Sequence, residues 1–301
     1  MNAKLIKVAL ALIAVLSMCD ASAAQEQTAS DHPTFGHIVI ILEENTGLGY
    51  LLGNKTGAPY FNSLLDQYGL ASEFYANTHP SIGNYMMLVT GQVLTNDDRD
   101  TPASFPVDVD NLVRQLERAG KSWKAYAEGL PHVGYTGGNR GKYAVRHVPI
   151  AYLTDVQRSP ELRSNLVPFT QFAEDLRSDR LPQYSFVTPD VCNDGHSCRI
   201  EVMDRWLHAH VPALLEDEQF KKDGLLIITF DEAWGSDDVH GGGQIATLLI
   251  SPAFSKRGYR STTFYQHQST LRLTLEGLGV DTLPGLAKDA PTMWEFFELH
   301  R

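Results

Sequence analysis

Apolar residues along the chain fall into two patterns. Unbroken, largely β-branched runs at 37–42, 224–230 and 245–250 show no polar face, the pattern of strands covered on both sides in a parallel sheet. Shorter runs at 72–76, 123–127 and 184–187 predict three further strands. Between them, segments at 59–68, 82–90, 109–119, 169–177, 201–215 and 267–277 repeat apolar residues at helical spacing, and Gly120 follows the third as a stop. Strands alternating with helices predict an α/β fold: a doubly wound, mostly parallel sheet with helices on both faces. Residues 128–149, rich in glycine and polar side chains, predict a long loop without packing duty and therefore a functional candidate.

The first residues break this pattern. Lys4 and Lys7 precede an apolar run at 8–18 and the small residues Ala21-Ser22-Ala23, so residues 1–23 predict an export signal cleaved near Ala23 and a periplasmic or secreted product. Cys19 offers lipoprotein acylation as the alternative. The run is shorter than the roughly 20 residues of a membrane-spanning helix, and no later segment is longer, which predicts a mature chain with no transmembrane segment. Polar residues 24–34 predict a flexible lead-in, and residues 35–301 a single domain. Cys192 and Cys198 remain after cleavage, close together and in an oxidising compartment, which predicts a disulfide.

Charge narrows the function. With 36 Asp and Glu against 25 Lys and Arg the net charge is −11, and no basic stripe interleaved with aromatics offsets it, so nucleic acid is excluded as a partner. Nothing in the sequence indicates a protein partner. A phosphorylated small molecule or a phospholipid headgroup would need cations held locally, which points to a bound divalent metal.

In an open α/β sheet the ligand lies beyond the carboxyl ends of the strands, so the residues that end each strand matter most. The first strand runs into Glu44 and Asn45, the second into His79-Pro80-Ser81, the strand at 184–187 into Asp190, and the strand at 224–230 into Asp231 and Glu232. Glu44, Asp231 and Glu232 are hard oxygen ligands arriving from separate strands, as in a cage for Mg²⁺, Ca²⁺ or Mn²⁺; histidine in the shell would admit Zn²⁺. Ser81 stands where a strand gives way to a helix, so its hydroxyl and the first helical amides would face one volume suited to phosphate, although a serine there also commonly caps the helix. His79 and Asn84 each can donate to an anion. The segment from Asp190 through Cys192, Asp194 and His196 to Cys198 concentrates carboxylates and an imidazole in one short loop, while His147 and His240 are lone histidines in loops.

Together, Glu44-Asn45, the segment His79 to Tyr85, Thr188-Pro189-Asp190 with Cys192 to His196, Thr229 to Glu232, and Tyr265-Gln266-His267 with Leu271-Arg272 resemble the bacterial phosphoesterase family of secreted acid phosphatases and phospholipases C. The resemblance runs from about residue 37 to 297 and is greater to the compact acid phosphatases. It implies an alkaline-phosphatase-like fold, Ser81 as nucleophile through a phosphoserine, and Glu44, Asp231 and Glu232 around the metal. Asn45 and Asn84 would bond the phosphoryl oxygens. His147, Asp190, Asp194, His196 and His240 become candidates for substrate contacts, leaving-group protonation or a second metal, with His196 and His240 taken as the catalytic pair and His79 kept from its own chemistry as a substrate contact. The residues alone leave three other readings open: a phospholipase C or phosphodiesterase on the same site, a serine carboxylesterase in which 240–243 mimics an oxyanion motif, and a non-catalytic periplasmic protein that binds phosphate or metal.

Overall fold

The computed structural model describes residues 32–298. The predicted export signal, the alternative acylation site at Cys19 and most of the lead-in lie outside the described residues. Of that lead-in, His32 is described, stacked on Trp294 with ring centroids 3.9 Å apart.

The eight strands are β1 (His37–Glu43), β2 (Gly69–Tyr75), β3 (Trp123–Ala127), β4 (Leu166–Pro168), β5 (Tyr184–Thr188), β6 (Gly224–Phe230), β7 (Gln244–Ile250) and β8 (Arg260–Ser261). They form one sheet in the order β4-β3-β5-β1-β6-β7-β2-β8. The pairs β4-β3, β3-β5, β5-β1, β1-β6 and β2-β8 are parallel, whereas β7 runs antiparallel to both β6 and β2, so it alone is reversed. The mostly parallel sheet predicted from the apolar runs is therefore present.

The two central strands explain the pattern. All seven residues of β6 and six of seven in β1 are buried, and because neighbouring residues face opposite sides, both faces of the sheet are covered. β1 holds β6 in register from His37–Gly224 to Glu43–Phe230. Each fully buried Ile, Val or Leu in these strands contributes about 1.5–3 kcal/mol of burial. The covering helices gather into two packed groups: Pro59–Leu65 with Ile200–Glu216, and Ile82–Thr90 with Leu112–Arg118 and His267–Gly277.

Two expectations need correction. The helix predicted at 109–119 starts only at Leu112, because Asn111 caps it and accepts a hydrogen bond from the Arg114 amide. The stretch 128–149 does pack: Leu130, Tyr143, Ala144, Val145 and Val148 are buried. Its short 3₁₀ turn, Val145–His147, carries two site residues into the interior.

Candidate active site

Because β1, β2, β5 and β6 share one direction, their carboxyl ends meet at one edge. The backbone ties the resulting loops together: the Glu44 amide donates to the Asp194 carbonyl at 2.8 Å, and the Asp231 amide donates to the Glu43 carbonyl at 2.9 Å.

Ser81 opens the helix Ile82–Thr90 but does not cap it; its side chain makes no capping bond. The buried hydroxyl instead donates to Glu44 Oε2 at 3.2 Å. The expectation that the first helical amides stay free for an anion is corrected, since the Ile82 amide donates to Asp98 Oδ1 at 3.1 Å.

Glu44 is fully buried and is the hub. Its Oε1 accepts from the Tyr85 hydroxyl at 2.5 Å and faces His147 Nε2 at 3.0 Å, while Oε2 also accepts from the Asn45 amide group at 3.1 Å. The other ring nitrogen of His147 lies 3.2 Å from Asp194 Oδ2. Neither approach has hydrogen-bond alignment, and Asp194 Oδ2 and Asp231 Oδ2 are buried without partners. Ligand atoms of Glu44, His147 and Asp194 all lie within 4.8 Å of one another. Two carboxylates and an imidazole that crowd together without pairing fit a bound divalent cation, which would satisfy the open oxygens.

Electrostatics support that fit. Burial, then the neighbouring Asp231 and Asp194, holds the Glu44 carboxyl well above its usual range. Burial raises Asp194 to about 8, Asp231 to about 6 and Glu232 to about 9. Burial, with Arg146 beside it, keeps His147 neutral by pulling its pKa well down. Four carboxyl groups thus share a buried site, and Arg146 is the cation that Glu44, Asp194 and Glu232 feel.

Other expected residues fall variously. His79 Nε2 faces the Asp237 carbonyl at 2.9 Å and must donate to it, which turns Nδ1 to Glu232 Oε2 at 2.8 Å. Asn45 also ties its backbone amide to Asp231 Oδ1 at 3.0 Å. Asn84 is not offered to a ligand: its Oδ1 accepts from the Asn77 and Thr78 amides and its Nδ2 donates to the Thr78 carbonyl, so it holds the loop before Ser81. Asp190 folds the disulfide loop by accepting from the Cys192 and Asn193 amides. That loop is closed by the Cys192–Cys198 bond.

His196 stands at the site's margin, where its Nε2 accepts from Arg146 Nη2 at 3.0 Å; the nitrogen a general base would use is therefore occupied. His240 is not brought to the acids at all. It is an exposed residue packed against Tyr75 and Phe264, with ring centroids 4.5 and 4.9 Å away. The following glycines form no oxyanion hole, because the amides of Gly241, Gly242 and Gly243 already donate to the carbonyls of Asp238, Ala76 and Val239.

Sequence reasoning missed Arg146, Tyr85 and Asp98. Asp98 accepts the helix amide and lies 3.4 Å from Arg146 Nε, linking that guanidinium to the start of the Ser81 helix. The available signals were an arginine beside His147 and a tyrosine one helical turn past Ser81.

The fold is shared with solved structures, among them one from the alkaline phosphatase superfamily. A protein of that superfamily from Vibrio parahaemolyticus aligns with a TM-score of 0.58 at 14% identity, over 85% of this chain and 71% of the other. A phosphonate monoester hydrolase of Agrobacterium radiobacter aligns at 0.54 and 14%, over 86% and 78%. The chain belongs to the phosphoesterase family, whose profile matches residues 54–280. It is 34% identical to a phosphatidylinositol-3-phosphatase of Mycobacterium tuberculosis over 89% of this chain and 85% of that protein. It is 30% identical to an acid phosphatase of Aspergillus niger over 83% of this chain and 60% of that one. A relative from Kluyveromyces lactis is 31% identical over 79% of this chain and 56% of its own length. The chain therefore spans a little over half of these fungal relatives and most of the mycobacterial one.

Proposed function

We propose that the chain is an exported phosphomonoesterase that works through Ser81. The observation that carries this reading is the Ser81 hydroxyl, buried, free of any capping role, and set 3.2 Å from Glu44 beside Asp231. A serine that only caps its helix would point elsewhere. Relatives whose names describe phosphatases favour a monoester over a diester.

In the first step Ser81 Oγ bonds to phosphorus as the bond from phosphorus to the alcohol oxygen breaks. The hydroxyl proton passes to Glu44 Oε2, which already accepts it. The His79–Glu232 pair holds one proton between its facing atoms, and we assign to it protonation of the departing alkoxide. In the second step water attacks the phosphoserine in line, its proton passing to the His79–Glu232 pair, and the bond from phosphorus to Ser81 Oγ breaks as Oγ recovers its proton from Glu44. Arg146, held by Asp98, offsets charge on the phosphoryl oxygens. Glu44, Asp194 and His147, with Asp231 adjacent, would hold a divalent cation, which when bound supplies Lewis-acid stabilisation of that charge.

Ser81→Ala should lower turnover on the order of 10³-fold or more without shifting the melting temperature appreciably. Acid-quenched wild-type enzyme should carry a phosphoryl group on the peptide containing Ser81. A variant that keeps most of its activity, or a phosphoryl group found on another residue, removes the covalent step. Export through residues 1–23 is part of the proposal, and the disulfide supports it; the N-terminus of the exported protein tests it.

A further inference from the structure

Four segments that meet beside the acids enclose a cavity of about 620 Å³. They are the helix Leu48–Leu51, the loop after β6, the disulfide loop, and the first turn of the helix Ile200–Glu216. The size suits an organic ligand rather than a phosphate alone. Its walls are mostly apolar, with Ile200 and Val202 joined by two aromatic side chains, Tyr50 and Trp234, that are 54% and 62% exposed. What marks these two is that they line one cavity together with other apolar residues, since single exposed hydrophobics are common on any surface.

The cavity borders the loops that carry the catalytic cluster. Thr46, on its inner wall, donates to the Glu44 carbonyl at 3.0 Å, and the ring of His196 lies 6.0 Å from that of His147. Thr46, Gly195 and Trp234 each stand one or two positions past Glu44, Asp194 and Glu232, which sets this space next to the acids.

Charge defines what the space accepts. Arg199 is the charged lining residue, and Glu201 pairs with it at 2.6 Å on the outer surface. His196 accepts at Nε2 from the Arg146 guanidinium, which can only donate, and places its Nδ1 hydrogen toward Ser197 Oγ at 2.9 Å, so its ring is neutral. The wall has no unpaired charge with which to recognise a second phosphate or a carboxylate.

Resting on the phosphomonoesterase reading, we propose that this cavity binds the alcohol portion of the substrate and selects an uncharged, apolar one, with Tyr50 and Trp234 as the specificity-determining residues. An aryl alcohol and a lipid-like alkyl alcohol share that chemistry, and the test separates them.

The wild-type enzyme should show a higher kcat/KM for 2-naphthyl phosphate or decyl phosphate than for glycerol 2-phosphate. Trp234→Ala and Tyr50→Ala should each lower that preference about 5-fold to 10-fold, chiefly through KM, as expected for loss of one aromatic contact. Trp234→Leu keeps an apolar wall without the ring: loss of preference for the naphthyl ester alone identifies an aryl site, and its retention with both esters an alkyl site. Equal loss on all three esters, or no change in any variant, overturns the proposal. Calorimetric binding of 2-naphthol to the intact protein provides a readout independent of turnover. Binding that Trp234→Ala weakens, in a protein that hydrolyses none of the esters, would sink the monoesterase reading and leave the cavity's assignment standing; absence of binding would sink the cavity's assignment whatever the turnover.

Discussion

At Glu232, burial and the adjacent Asp231 keep a proton on the carboxyl up to about pH 9, and His79 is turned to share it. A stored proton matters most when the departing alkoxide is a strong base. Glu232→Gln should therefore slow hydrolysis of simple alkyl phosphates about 10²-fold and of an activated aryl phosphate such as 4-nitrophenyl phosphate by about 10-fold less. A uniform fall across leaving groups would return Glu232 to a purely structural or ligand role. Glu44 and Asp231 were legible in the sequence because each follows an apolar strand directly, and Ser81 because it stands just before an apolar helix. Arg146 was not, because an irregular loop has no period to reveal which side chains turn inward. Asn84 was visible but misread: sequence shows that an amide is present, not that three backbone groups already use it.

Among the elements, the buried strands were readable and the marginal ones were not. β1, β6 and β7 announce themselves by runs too apolar for a half-exposed strand, whereas β4 and β8, with three and two residues, are too short to carry any alternation. β2 starts at Gly69, three residues before its predicted start, since its early part is recruited by pairing with β7 and β8 rather than by its own composition. The loop between β2 and the Ser81 helix depends on Asn84 in the same non-local way. Asn84→Ala would leave the Asn77 and Thr78 amides without their acceptor, costing about 3 kcal/mol. Asn84→Asp keeps an acceptor and should recover a good part of that loss; urea denaturation of the two variants measures it. Equal stability of Asn84→Ala and wild type would show that the loop stands without this anchor.

For the whole molecule the buried acids predict how stability responds to pH. Asp194 and Glu232 titrate near 8 and 9 when folded but in the ordinary carboxyl range when unfolded, so the native state binds more protons and stability falls as pH rises through the folded values. His267, pulled down to about 4 by burial, acts the other way, but its effect is lost only as pH falls below the ordinary histidine range. Between pH 6.5 and 9 the carboxyls govern. Chelator-treated protein should melt at steadily lower temperature across that window, and added Mg²⁺, Mn²⁺, Ca²⁺ or Zn²⁺ should flatten the slope, in step with recovered activity. A slope that no divalent ion alters would mean that the acids do not hold one.

The reversed direction of β7 has a consequence for how such an enzyme diversifies. Each parallel neighbour is reached by a chain that travels round to the far edge and back, but β6 and β7 are joined by a hairpin that never leaves the mouth of the site. Its first residues, Asp231 and Glu232, are anchored, while Trp234 is exposed a short distance on. Doubling the length of such a connection adds only about 0.6 kcal/mol. Insertions there would reshape what the entrance admits while the acids at its root stay where the chemistry needs them.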